Sequence, residues 1–173
     1  MKRAAEDEYR QFVAARMDSL RRTAYLLCRD WHTADDLVSI TLGKLYRNWR
    51  RVRDAENVEA YVRGVLTHAW LDELRRPWRR ERSVDQLPDH VEPQVAEASA
   101  VDRDLLLHLL GQLPPRRKAV VVLRYYCDLS VEQTADILGI TTGAVKSQAA
   151  RALEALRLIV ADEIALTAGR EKA

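Results

Sequence analysis

The sequence predicts an all-α protein: two small helical domains joined by a flexible linker, the C-terminal one carrying a helix-turn-helix. Three observations carry that prediction. Ala, Leu and Arg dominate the composition, aromatics make up only 6%, and six glycines interrupt 173 residues, which is a helical balance. Apolar residues recur every three or four positions along most of the chain, with no strand-like alternation of any length. Residues 83–100 break the pattern with two prolines, several acids and weak periodicity, as a tether does.

The elements follow in order. Tyr9, Phe12, Val13, Met17, Leu20, Ala24 and Leu27 place one face of an opening amphipathic helix that runs to about Cys28. Thr33 is expected to cap a second helix, with Asp36 at its third position complementing the helix dipole. Leu37, Ile40, Thr41, Leu45 and Trp49 would form its buried side. Arg50 to Glu59 read as a polar connection without periodicity. A third long helix is expected from about Val58 to Arg76, with Val62, Val65, Leu66, Ala69 and Leu74 inward and Pro77 as its stop. Together these helices would make one small bundle.

After the tether, a helix is expected around Val101 to Gln112, carrying Leu105, Leu106, Leu109 and Leu110. Pro115 suits the first turn of the next, which carries Val120, Val121, Leu123 and Tyr126. Ser130 with Gln133 is a capping box that starts a helix at Val131, and Gly139 supplies the left-handed residue of a sharp corner. Thr141 caps a further helix with the apolar stripe Val145, Ala149, Ala152, Leu153 and Leu156, and small Ala135 lets the two helices cross closely. Beyond about Ile159 the pattern reads as a fraying helix and tail. The outward face of the last helix holds Lys146, Ser147, Ala150 and Arg151. A short helix pair offering donors and positive charge outward is how helix-turn-helix proteins enter a major groove; the plain alternative is a helical hairpin with a solvated face.

Composition and charge narrow the function. With 47% hydrophobic residues the chain has material for a core. It has no apolar run long enough to insert in a membrane, and its basic start is not followed by the apolar segment of a secretory signal, so a cytoplasmic protein is expected. Cys28 and Cys127 are far apart and read as buried free thiols; His32, His68, His90 and His108 are scattered, so neither a metal site nor a catalytic triad is expected. There is also no phosphate-cradling glycine loop and no nucleophile–base pair, so no enzyme and no cofactor are expected. The formal net charge of +2 is unevenly spread. Residues 1–82 hold 18 Lys/Arg against 13 Asp/Glu, residues 83–103 one Arg against five acids, and the remainder nine bases against eight acids. Arg50, Arg51 and Arg53 form one basic cluster, and Arg75, Arg76, Arg79, Arg80 and Arg82 another. The expected division is a basic domain over 1–82, an acidic linker over 83–100 and a second domain over 101–173.

Four segments, TADDLVSITLGKLYRNW, AYVRGVLTHAWLDELRR, LPPRRKAVVVLRYYCDLSVEQTADILGI and TTGAVKSQAARALEALR, stand in the order and spacing of a known family. From about Phe12 to Arg157 the chain resembles the bacterial RNA polymerase sigma factors of the extracytoplasmic-function (ECF) type, in the sigma-70 superfamily. The resemblance implies a protein that binds core RNA polymerase, melts promoter DNA at the −10 element with its first domain and reads the −35 element with its second. It implies a polymerase-docking helix face at Asp35, Asp36, Leu37 and Ser39, although Ser39 and Ile40 stand where the family usually has Gln and Glu or similar polar residues. Helix-dipole compensation alone would also account for the two aspartates.

The resemblance further implies −10 contacts from Asn57, Arg63, Thr67, His68 and Trp70, with Arg75 and Arg76 on phosphates. Asn57 either reads a flipped base or caps a helix; His68 stands where relatives often have Asn; Trp70 either stacks on a base or, lying near the apolar stripe, packs inward. At the −35 element it implies Thr141 and Thr142 on a phosphate and Lys146, Ser147, Gln148 and Arg151 on base edges, with Gln148 near the buried stripe. Asp85, Asp89, Glu92 and Glu97 of the linker would imitate a nucleic-acid chain in a polymerase channel, and an anti-sigma protein is an implied partner. The competing reading is a stand-alone regulator that binds an operator without polymerase, as a dimer.

Overall fold

The computed structural model describes residues 3–76 and 100–170, and the chain divides into two compact units, Met1–Glu97 and Ala98–Ala173. Among the described residues every regular element is a helix. The acidic linker, Pro77 and the arginines at 79, 80 and 82 lie outside them.

In the first unit α1 (Arg3–Cys28), α2 (Trp31–Arg47) and α4 (Val58–Leu74) pack pairwise, and α3 (Trp49–Arg53) closes one end against α2 and α4. Leu20, Ala24, Leu27, Leu37, Leu45, Val62, Leu66 and Trp70 form the core. Each such large side chain contributes roughly 1.5–3 kcal/mol by leaving water. Towards its start α1 is held by rings: Trp49 lies edge-on to Tyr9 and Phe12 at 5.2 and 4.9 Å, and the Tyr9 hydroxyl donates to the Leu42 carbonyl at 2.7 Å. Burial is the main cause that pushes the Tyr9 phenol above its usual pKa.

Three sequence expectations change here. The cap of α2 is Asp30, not Thr33: its carboxylate accepts the Thr33 amide at 2.8 Å. Arg29 turns left-handed, with φ 59°, directly after α1, so the chain is ready to start a helix at once and Thr33 is carried into the interior. The polar connection contains α3, because Trp49 and Val52, one turn apart, both sink into the core. Ile40, expected inward, is 37% exposed.

The second unit runs α5 (Ala100–Gln112), α6 (Pro115–Val121), a π-helical turn (Val122–Tyr126), α7 (Val131–Leu138) and α8 (Thr142–Arg170). Pro115 occupies the first turn of α6 as expected. The π turn closes with Cys127 N–H on the Val122 carbonyl at 2.9 Å, and its wider winding leaves Tyr125 and Tyr126 exposed. In α5 the buried leucines are Leu107 and Leu110, joined by Leu113 after the helix; Leu105 and Leu106 face outward. Beyond Ile159, expected as a fraying helix and tail, α8 continues as helix to Arg170. Cys28 and Cys127 are not joined in a disulfide and are half-buried rather than buried.

Candidate nucleic-acid and polymerase interfaces

The helix-turn-helix is built as its local sequence dictates. The Ser130 hydroxyl accepts the Gln133 amide at 3.0 Å while the Gln133 side chain accepts the Ser130 amide at 2.9 Å, so two otherwise orphaned donors are satisfied at the start of α7. Gly139 ends it in the left-handed region (φ 63°), where Ile140 N–H reaches back to the Ala135 carbonyl at 3.1 Å. The Thr141 hydroxyl then caps α8 through the Ala144 amide at 3.1 Å. Ala135, Val145, Ala149 and Val120 form the seam, with Val131, Leu138 and Ile140 packed on it.

That seam decides what α8 presents. Thr141, Thr142, Lys146, Ser147 and Arg151 are exposed together on its N-terminal half, and Gln148 is half-buried at the edge. Arg151 enters no ion pair among the described residues. Lys146 lies within electrostatic reach of Glu132 on α7. Glu132's carboxyl is held below the usual glutamate pKa, first by its own backbone amide, then by the Ser130 hydroxyl, with Lys146 and Arg124 adding to the effect. The edge of α8 is a set of donors mounted on a fixed scaffold, the requirement for reading a groove.

The first unit treats its expected DNA contacts differently. Arg63 is only 6% exposed. Its Nη1 donates to the Thr23 hydroxyl at 2.5 Å and the Ser19 carbonyl at 3.2 Å, its Nη2 to the Ser19 hydroxyl at 2.5 Å, and its Nε to Glu59 at 2.8 Å. Thr67 is fully buried and Trp70 is 2% exposed. Arg63, Thr67 and Trp70 lie on a second buried face of α4 and pack within the bundle, which for Trp70 is the inward alternative of the sequence reading. Asn57 is exposed and caps α4, its Oδ1 accepting the Ala60 amide at 2.8 Å. His68, Arg75 and Arg76 remain on the surface, the arginines 4.0 Å from Asp72 and 3.5 Å from Glu73 respectively.

On α2, Asp35, Asp36 and Ser39 are exposed and Leu37 is buried, so Leu37 anchors the helix in the bundle. Asp35 is bound by Arg21 of α1, a partner the sequence did not announce because it lies 14 residues away on another helix. Sequence reasoning also missed the grouping of Arg47 and Asn48 with Arg50 and Arg51 around one cleft, whose only signal was a run of arginines. Among the described residues no cluster of His, Cys, Asp and Glu fits a metal ion, and no helix is long and apolar enough to cross a membrane.

Comparison with known proteins identifies the family of both units. Residues 12–80 match the family model for sigma-70 region 2, and residues 103–156 that for sigma-70 region 4. The chain is 35% identical over 154 residues to the RNA polymerase sigma-E factor of Streptomyces coelicolor, covering 87% of this chain and 84% of that one. It is 35% identical over 144 residues to the ECF RNA polymerase sigma factor SigL of Mycobacterium tuberculosis, covering 80% and 81%. The sigma factor RpoE of Bartonella quintana, solved in complex with the anti-sigma factor NepR, shares the fold with a TM-score of 0.73 and 22% identity over 88% of this chain and 96% of that one. CnrH, solved with the cytosolic domain of CnrY, shares it with a TM-score of 0.62 and 20% identity, covering 91% and 90%. The chain belongs to the sigma-70 superfamily of RNA polymerase sigma factors, in its ECF group.

Proposed function

We propose that this sigma factor divides promoter recognition between its two units. The unit over residues 101–173 reads the −35 element with the exposed edge of α8, and the unit over residues 1–82 docks on core polymerase and holds the −10 element. The observation that carries the reading is the α8 edge itself. Lys146, Ser147 and Arg151 stand clear of the seam on a helix whose start is fixed by a hydroxyl cap and whose corner is fixed by Gly139. Thr141 and Thr142 at that start suit a phosphate, and Gln148 at the margin of the seam is the weakest reader of the set.

In the first unit, the surface available to polymerase is Asp36 and Ser39 with half-exposed Ile40, while Asp35 acts through Arg21. Asn57, His68, Arg75 and Arg76 are the members of the −10 set that a strand can reach. Sigma factors are initiation factors rather than enzymes, and this one is proposed to act in the cytoplasm beside its polymerase. An anti-sigma protein belongs to the same reading, since a sigma factor that shares this fold was solved with one.

The test is reconstitution. Purified protein added to core polymerase is expected to form a stable complex and to start transcription at sites sharing two spaced elements, mapped after overexpression. Absence of a complex with core polymerase, together with tight operator binding as a dimer, would overturn the assignment. Co-purification from the native host tests the inhibitor: a stoichiometric small partner is expected alongside polymerase.

A further inference from the structure

Among the described residues nothing accounts for Gly43. It stands inside α2, where a glycine is less stable than an alanine because it gives up more conformational freedom on folding. Gly139 is required by its left-handed corner and Gly64 is buried in α4, but Gly43 has neither reason. It is exposed, and a β-carbon built on it would meet nothing within 4 Å. The space above its backbone is open to an incoming molecule.

Its place on the helix gives that space a meaning. Asp36, Ile40, Gly43 and Arg47 follow one another by four, three and four residues, so they share one outward face, with Ser39 alongside. Leu37, Val38, Thr41 and Leu45 face the bundle on the other side. The outward face is acidic at Asp36, apolar at Ile40, bare at Gly43 and basic at Arg47. Ile40 is exposed there although its side chain is apolar. Side chains three and four apart form ridges on a helix, and a missing one leaves a notch, here between Ile40 and Arg47. Packed helices stand about 8–10 Å apart according to the side chains at their contact, and a glycine allows the short end of that range.

We propose that Gly43 is the point of closest approach between α2 and a helix of core polymerase, which seats a bulky apolar side chain in the notch against Ile40. The proposal rests on the reading that α2 docks on core polymerase, and it extends that surface from Asp36 and Ser39 along the helix to Arg47. The partner helix carries a basic group opposite Asp36 and an acidic one opposite Arg47. A bare position at the centre of this face weakens the free protein and strengthens the complex. Stability and polymerase affinity therefore move in opposite directions when Gly43 is replaced.

The full-length protein carrying Gly43→Ala, Gly43→Gln or Gly43→Leu is compared with the unmutated chain in melting temperature and in affinity for purified core polymerase. Gly43→Ala is expected to raise the melting temperature and yet weaken polymerase binding several-fold. Gly43→Leu should weaken it by about tenfold or more, the cost of overpacking a close contact. Gly43→Gln, similar in size but polar, guards against self-association of the leucine variant and should behave like it. Polymerase affinity that stays unchanged across the series overturns the proposal. So does an equal loss for alanine and leucine, since the glycine then supplies flexibility on docking rather than room. Asp36→Ala, measured in parallel, keeps the two readings apart. If it weakens binding and the Gly43 series does not, α2 docks but the notch is empty; if neither weakens it, docking by this face fails as well.

Discussion

Arg21 of α1 holds Asp35 of α2 by both carboxylate oxygens, Nε to Oδ1 at 2.6 Å and Nη2 to Oδ2 at 3.2 Å. The guanidinium also lies 5.4 Å from the centre of the Trp31 ring, which stacks on Tyr25 at 4.0 Å. The hydrogen bond to Asp35 is the main cause that raises the Arg21 pKa. One of the two aspartates proposed for polymerase docking is thus engaged by another helix of the bundle, and its neighbour Asp36 enters no ion pair among the described residues.

The two aspartates are therefore expected to separate on mutation. Asp36→Ala should weaken binding to core polymerase while changing stability by no more than about 0.5 kcal/mol. Asp35→Ala and Arg21→Ala should show a coupling below about 1 kcal/mol in a double-mutant cycle, because the pair is half-exposed and screened. Urea unfolding and polymerase binding of the four variants check both statements. A loss of polymerase affinity in Asp35→Ala that is independent of Arg21 would contradict them.

Arg63 supports the bundle, and its variants should behave accordingly. Arg63→Ala leaves Thr23 and Ser19 without their charged donor and is expected to cost about 2–3 kcal/mol, the range for charge-assisted bonds at a buried site. Arg63→Lys should recover little of this, because one ammonium cannot reproduce a fork that serves three residues at once. All four tryptophans precede residue 83, so fluorescence follows this unit selectively during unfolding. Below the new melting transition, affinity for −10 strands should match the unmutated protein.

How much was legible in the sequence depends on how local the cause was. The corner from Ser130 to Thr141 is set by residues within a dozen positions of one another, and it formed as read, down to the reciprocal bonds of the capping box. α4 was misread because it is covered on two sides. Val62, Leu66, Ala69 and Glu73 make one buried stripe and Arg63, Thr67 and Trp70 a second, so polar residues that look outward on a single-stripe wheel are enclosed. α3 is too short to show a period, and the cap of α2 moved to Asp30 because of a left-handed residue that sequence pattern does not mark. At the sites, the α8 edge was readable because burial of Val145, Ala149 and Ala152 determines it. The Arg21–Asp35 pair depends on how two helices meet, whereas the arginine group is local to Arg47–Asp54 and is turned outward by burial of Trp49 and Val52.

Gly43 should stabilise the protein when replaced. It lies inside α2 on the exposed side, and a β-carbon there would meet nothing within 4 Å. Its backbone is ordinary helix, so the residue supplies only conformational freedom to the unfolded chain. Gly43→Ala is expected to add about 0.5–1 kcal/mol, visible as a rise of several degrees in the tryptophan-monitored melting temperature. No rise would mean that the glycine answers a constraint outside α2.

Glu132 ties acid stability to DNA binding in the second unit. Its pKa is depressed in the folded state, so its contribution is fully present above the ordinary glutamate value and is lost as pH falls through the lower folded value. Protection of α7 and α8 amides from hydrogen exchange should fall across that acidic window, and Glu132→Gln should flatten the fall. The same carboxylate sets a negative charge beside Lys146, on the edge proposed to meet phosphates and bases. Glu132→Gln should therefore tighten binding to −35 duplexes by a few-fold at low salt and tighten scrambled duplexes equally, since the released charge is general. Tightening confined to one −35 sequence would instead place Glu132 in direct contact with a base.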